Sequence, residues 1–462
     1  MKSPLPSRRS FLKSSLVTAA AVSADPFDAF RQRSIARASE ARSTSYGPLV
    51  PVNDETTGLP LLRLPEGFRY VSFGWTGDLL ANGQKTPEYH DGMAVVAQEG
   101  NIATLIRNHE IFLPGPSIAP SDQTYDPKAG GGCTRLRFDV VEGKLLSAEP
   151  AIGGTHRNCA GGPTPWGSWL TCEETVDDAH GEFDGKPLPF EFDHGFIFEV
   201  PAHGPAKPIA LKDMGRFTHE AIAIDPATGI VYETEDNGTA GFYRFIPRVP
   251  GQLAQGGKLQ MMKIQGQADT RANMPPNKNM GVTWIDIEDP LRAHSPGVKD
   301  RGGVYSQGKQ QGASTFARLE GCWFGNEKIY FVSTSGGKAG FGQIFEHDPK
   351  QQTVRLVFES PSKQVLDYPD NIAVSPRGAL ILCEDGDRKV ERLCTLSLDG
   401  QLGIFAENNV QLNGERNGFE GDFTRQEWCG ATFSADGKWL FANIQTPGIT
   451  FAITGPWNNG PL

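Results

Sequence analysis

Acidic and sulfur-bearing side chains recur in this sequence at the head of one pattern. Asp91 precedes Gly-Met-Ala-Val, Cys159 precedes Ala-Gly-Gly-Pro, and Glu220 precedes Ala-Ile-Ala-Ile. Glu320 precedes Gly-Cys-Trp-Phe, Asp370 precedes Asn-Ile-Ala-Val, and Cys429 precedes Gly-Ala-Thr-Phe. Gathered at one point, these four carboxylates and two thiols could not all stay ionised. Either their pKa values rise or cations neutralise them, and cations are the less costly answer for so many groups. Carboxylate oxygens suit hard ions such as calcium, while a thiolate among them admits iron or zinc. The expectation is a multi-metal centre.

Further candidates follow each head residue at a distance. Glu110, Glu173, Glu174, Glu235, Asp236, Glu384 and Asp385 close second apolar runs, and Glu427 stands two residues before Cys429. A cationic side chain leads closely into Glu320, in Ala317-Arg318-Leu319-Glu320. Two apart on a strand, Arg318 and Glu320 share a face. A guanidinium beside metals suits an anionic oxygen ligand such as phosphate, because its planar fork binds two oxygens. His109, His156 and His219 each adjoin a candidate ligand or stand near one, so on a strand they pack behind the site or orient it. The sequence has no nucleophile elbow, Walker loop or HExxH motif.

Such residues need elements that converge. Apolar residues come in short or alternating runs bounded by Gly, Pro, Asp and Asn, which are strand signals. The head residue leads a first strand, a turn follows, then a second strand ending in polar residues, then a third. Clear copies lie at 220–245, 320–345 and 370–396, and weaker ones at 91–138, 159–199 and 429–451. The repetition predicts an all-β fold, a six-bladed β-propeller with long loop insertions on one face. First strands of such blades face a central channel, which would bring the head residues to one mouth.

Composition narrows the function. The 462 residues include 27 Phe, 8 Trp and 9 Tyr, too apolar for a disordered chain. The 54 Gly and 34 Pro show no triplet period and mark many tight turns. A net charge of −10 argues against nucleic acid as a partner. Arg8-Arg9 followed by Phe11-Leu12-Lys13, a mild apolar stretch and Val22-Ser23-Ala24 resemble a twin-arginine export signal over 1–24. That route carries folded, cofactor-bearing proteins through the twin-arginine translocase and predicts a periplasmic or secreted location. A polar linker, 25–47, would precede a single domain over 48–462, with no membrane span in the mature chain. An odd count of 7 Cys implies no disulfide framework. Cys322, Cys383 and Cys394 read as core fillers, with a Cys383–Cys394 cross-link as the alternative.

Several stretches resemble the PhoX family of bacterial alkaline phosphatases. They are Arg107-Asn-His-Glu110, the run from Asn158-Cys159 through Pro165-Trp-Gly167 to Cys172-Glu-Glu174, Phe217-Thr-His-Glu220, Ala317-Arg-Leu-Glu320, and 433–445. The resemblance runs from about residue 60 to near the end of the chain. It implies two oxo-bridged ferric irons with calcium ions in a six-bladed propeller. It implies Cys159, Glu173, Glu174, Glu220, Glu320 and Glu427 as metal ligands and Arg318 as the phosphate-gripping arginine, with Arg318 and Glu320 catalytic. Asn108 and Glu110 match a first-blade polar cluster and, with Asp91 and Asp370, are further candidates for metal or phosphate. The expected enzyme is a monomer that hydrolyses small phosphate monoesters with an oxo or hydroxo nucleophile. The alternatives are a calcium-dependent propeller hydrolase, either a lactonase or a diesterase, and a non-catalytic binding propeller.

Overall fold

The short runs become strands because nearly every residue in them is buried on one face or the other. Leu380–Glu384 and Arg392–Leu396 are buried throughout, as are Val231–Glu235 and Leu440–Ile444. Strands covered on both faces read as continuous apolar runs rather than clean alternation. The computed structural model describes residues 46–183 and 185–462. The expected export signal and nearly all of the linker lie outside them. Among the described residues the fold is all-β, with one α-helix, Gly303–Gln310.

The strands form antiparallel meanders. His90–Glu99, Ile102–His109, Gly131–Asp139 and Lys144–Thr155 make the first. Asn158–Pro163, Ser168–Glu173 and Ile197–Pro201 make the second. The third runs from His219–Ile224 through Val231–Glu235 and Phe242–Pro247 to Gly257–Ile264. Leu319–Gly325, Lys328–Ser333, Gln343–Asp348 and Thr353–Glu359 follow, joined to the third through Met280–Asp286. Next come Pro369–Val374, Leu380–Glu384, Arg392–Leu396 and Leu402–Asn408, extended by Leu62–Pro65 and Leu49–Val52. In the last meander, Trp428–Phe433, Leu440–Ile444 and Ile449–Thr454 take Arg69–Phe73 as their outer strand, from Arg69 opposite Thr454 to Phe73 opposite Thr450. An N-terminal strand thereby completes the C-terminal sheet.

The first strand of each meander packs beside the first strands of the meanders before and after it. Trp428–Phe433 packs in turn against His90–Glu99, so this order is cyclic. The core lies between neighbouring sheets. Tyr330, Val332 and Ile344 meet Ile372, Leu382 and Cys394, while Phe73, Phe441 and Ala452 meet Leu105, Leu136 and Phe138. Removing a buried ring such as Phe138 from such a layer costs about 3–5 kcal/mol. Cys394 belongs to one such layer and Cys383 to the layer on the other side of its sheet. All seven cysteines are buried and free, so the alternative Cys383–Cys394 cross-link is corrected.

Candidate metal centre

Each leading strand loses its register near its head residue. The breaks fall between His90 and Met93, Asn158 and Gly161, His219 and Ile222, Leu319 and Cys322, and Pro369 and Ile372. In the last meander the break lies one residue later, between Cys429 and Thr432. A break of this kind re-aims a side chain out of the ordinary pleat. Asp91, Cys159, Glu220, Glu320 and Asp370 occupy the breaks. Two of the positions after them are tightly confined: a Cβ on Gly92 would lie 2.5 Å from the Cα of Ala160, and one on Gly321 would lie 2.7 Å from the carbonyl oxygen of Asp370.

A second repeated contact brings the ends of the second strands to the same level. The backbone N–H of Glu110 donates to the carbonyl of Tyr89 at 2.9 Å, and that of Glu174 to Arg157 at 2.9 Å. Asp236 donates likewise to Thr218 at 3.0 Å, Thr334 to Arg318 at 2.9 Å, Asp385 to Tyr368 at 3.0 Å, and Gln445 to Glu427 at 3.3 Å. Every acceptor stands two residues before a head residue.

The result is a buried acidic hub. Ligand atoms of Cys159, Glu174 and Glu220 lie within 4.8 Å of one another, as do those of Glu220, Glu320 and Asp370. Glu220 belongs to both groups. Burial pushes the Cys159 thiol well up, and the carboxylates of Glu220, Glu174 and Asp91 push it further. The Glu427 carboxyl is driven well up by burial, by its hydrogen-bonded neighbour Asp385, and by Asp91 and Asp370. The Cys429 thiol rises for the same reasons, under burial, Asp91 and Glu427. Its Sγ donates to the carbonyl of His90 at 3.0 Å. Acids that raise one another's pKa in a low-dielectric interior are the setting in which bound cations relieve repulsion. The donor set therefore fits metal ions.

Arg318 faces this hub. Its Nε donates to Asp236 Oδ1 at 3.0 Å and its Nη2 to Glu320 Oε1 at 2.5 Å. Asp236, outside the expected ligand set, emerges as the second anchor of that guanidinium.

Two expected site residues are placed elsewhere. Glu173, expected as a ligand, turns away from Glu174. Its Oε1 accepts from the His156 N–H at 2.8 Å and meets His194 Nδ1 at 2.7 Å. Its Oε2 accepts from the N–H groups of Gly195 and Phe196 at 2.7 and 3.1 Å. Asn108, expected near metal or phosphate, instead donates to the carbonyls of Cys159 and Ala160 at 3.1 and 2.8 Å. Its Oδ1 accepts from Cys133, Trp169 and Thr171. Asn108 thus anchors the strand that carries Cys159. Carbonyls of the neighbouring meander claim Asn108, although it stands two residues from Glu110. Strand alternation accounts for Glu173, since neighbours on a strand face opposite sides. Glu235 and Glu384 follow the same rule: Glu235 accepts from Gly241 and Tyr243, and Glu384 pairs with Arg392. Glu110 lies on the hub side, where its Oε2 accepts from Gln445 Nε2 at 2.9 Å.

The sequence model of the alkaline phosphatase PhoX family matches residues 44–149 and 140–448. The chain belongs to the PhoX family of alkaline phosphatases. It is a phosphoric ester hydrolase. Among solved structures it resembles Pseudomonas fluorescens PhoX in complex with vanadate, a transition state analogue. The two share 17% identity over 91% of this chain and 99% of that one, with a TM-score of 0.65. A gluconolactonase from Xanthomonas campestris is 14% identical over 89% of this chain and 98% of its own, with a TM-score of 0.41. No curated protein matches the chain. No helix among the described residues is long and apolar enough to cross a membrane.

Proposed function

We propose that the chain hydrolyses small phosphate monoesters at several cations held by Cys159, Glu174, Glu220, Glu320 and Asp370, with Asp91, Glu110 and Glu427 around them. The observation that carries this reading is the pair of ligand groups sharing Glu220, with Arg318 bonded to one of their members. The group with a thiol suits iron, and the all-carboxylate group suits a hard ion such as calcium. Bound there, the cations would act as Lewis acids toward phosphate and lower the pKa of an attacking water.

The protein's own part is electrostatic and positional. Arg318, already aimed over Glu320, exchanges a carboxylate partner for two phosphate oxygens and offsets the charge that grows in the transition state. Asp236 holds the guanidinium in place before substrate arrives. The carboxylates of Glu220 and Glu320 keep the cations beside that arginine. No side-chain nucleophile is needed.

The cyclic packing of leading strands supports a six-bladed β-propeller, with the long connections between strands as insertions near the mouth. We extend the reading to a monomer over 48–462, exported through the twin-arginine translocase to the periplasm or beyond. The test is elemental analysis, an absorption spectrum and phosphate release from p-nitrophenyl phosphate, all on protein purified from the periplasm. Arg318→Ala is expected to lower kcat/KM by about a hundredfold with metal content kept. Full activity in the variant, or in metal-free protein, overturns the reading.

A further inference from the structure

Four bulky residues at the mouth hold a left-handed backbone: Tyr89 at φ 51°, Arg157 at 51°, Arg318 at 44° and Tyr368 at 49°. Such a backbone is uncommon for a residue with a side chain, and it gathers at functional sites. Each of the four stands two residues before Asp91, Cys159, Glu320 or Asp370. The carbonyl that each offers to a second strand does not require this conformation. Thr218 and Glu427 make the same contact without a positive φ. What the left-handed turn changes is the direction of the side chain, and Arg318 shows the outcome by reaching Glu320.

Around the cyclic order the four are sorted by chemistry. Arg157 and Arg318 flank the Thr218 position, while Tyr368 and Tyr89 flank the Glu427 position. Each tyrosine is braced edge-on by a phenylalanine: Tyr89 by Phe112 with ring centres 5.5 Å apart, and Tyr368 by Phe341 at 5.8 Å. Arg157 lies over the Phe112 ring at 5.3 Å. All six side chains are partly exposed, although the head residues beneath them are buried.

We propose that Tyr89 and Tyr368 form an aromatic side of the mouth, opposite the arginines, that stacks on a planar leaving group. The preferred substrates are aryl and nucleoside phosphate monoesters over alkyl phosphates. The inference rests on the phosphatase reading of the hub and adds the class of alcohol it releases. Phosphate binds at the cations and Arg318, and the organic group of the ester then points outward across the rim. An aromatic ring there gains a stacking partner, and a glycerol group does not.

The experiment compares kcat/KM for phenyl phosphate and adenosine monophosphate with that for glycerol 2-phosphate, in the metal-loaded full chain. Using each enzyme's own ratio cancels the intrinsic reactivity of the esters. Tyr89→Ala and Tyr368→Ala are each expected to lower the ratio about tenfold, mainly through KM for the planar esters. Alanine rather than glycine keeps a Cβ on the left-handed backbone. Tyr89→Phe and Tyr368→Phe are expected to restore the ratio, which a hydroxyl-dependent role would not. An unchanged ratio in the alanine variants, or an equal fall for all esters, overturns the aromatic rim while leaving the phosphatase in place. Wild-type protein that hydrolyses none of the esters overturns the phosphatase reading, and the rim falls with it.

Discussion

Cys159 and Cys172 lie in adjacent strands, both buried and both with thiols pushed well above the ordinary value by burial. Their difference is in the neighbours. Cys159 Sγ shares its 4.8 Å group with Glu174 and Glu220, whereas Cys172 lies outside both ligand groups. A protonated thiol is a poor ligand, so binding at Cys159 must release its proton, and the cation supplies the free energy. Cys159→Ala is therefore expected to lose iron by elemental analysis together with any thiolate-to-metal absorption band. Cys172→Ala is expected to keep both and to lower stability by about 1–3 kcal/mol through lost packing. Full iron content in Cys159→Ala contradicts its assignment as a ligand. Arg318 tests the same hub from the substrate side. Arg318→Lys keeps a positive charge but loses the planar fork, so it is expected to recover only part of the turnover that Arg318→Ala loses.

At the scale of the strand, Asp91 depends on its successor in the chain. Gly92 has no room for a Cβ, which would meet backbone atoms at 2.5 Å in Ala160 and 2.9 Å in Cys159. Gly92→Ala must therefore push two leading strands apart, at a cost of about 1–3 kcal/mol. It is expected to lower the denaturation midpoint and to reduce metal content, because the displaced carbonyl belongs to Cys159. A stability loss with unchanged metal content would separate the fold from the hub. The head residues were readable because the order of acid or thiol, small apolar strand, turn and second strand recurs. The facing of the second-strand acids was not, because parity must be counted from a break in register. Glu173 and Glu174 look alike in sequence. Only the break at 159–160 and the carbonyl of Arg157 put Glu174 on the hub side. The partner of Glu173, His194, arrives from a loop with no strand pattern, so nothing local marked it. Asn108 belonged to a recognisable motif, yet its role depends on carbonyls of the neighbouring meander.

Over the whole molecule, buried histidines of opposite kinds set the pH range of stability. His194 joins two meanders, lying between Glu173 and Asp126, at 2.7 Å and 3.6 Å. Burial alone would lower its pKa, but the two carboxylates override burial and raise it to about 9. Its unfolded value is about 6.5, so its contribution is complete below about 6.5 and is lost as pH rises through about 9. The shift corresponds to roughly 3 kcal/mol. His347 behaves inversely. It is buried against Tyr232 and Trp284, and burial lowers its pKa to about 4. As pH falls from about 6.5 toward 4 the unfolded chain takes up a proton that the folded chain refuses, and stability declines. His90 and His109, fully buried and held well below the usual range, add to the same limb. The urea midpoint of the full chain is thus expected to be greatest near neutrality and to fall on both sides. His194→Gln removes the ion pair but retains a side chain able to hydrogen-bond Glu173, so it lowers the neutral midpoint and flattens the alkaline limb between pH 7 and 9.5. His347→Gln leaves the alkaline limb and flattens part of the acid one. An alkaline limb equally steep in His194→Gln would assign the loss above pH 8 to the hub's own acids rather than to the clasp between meanders.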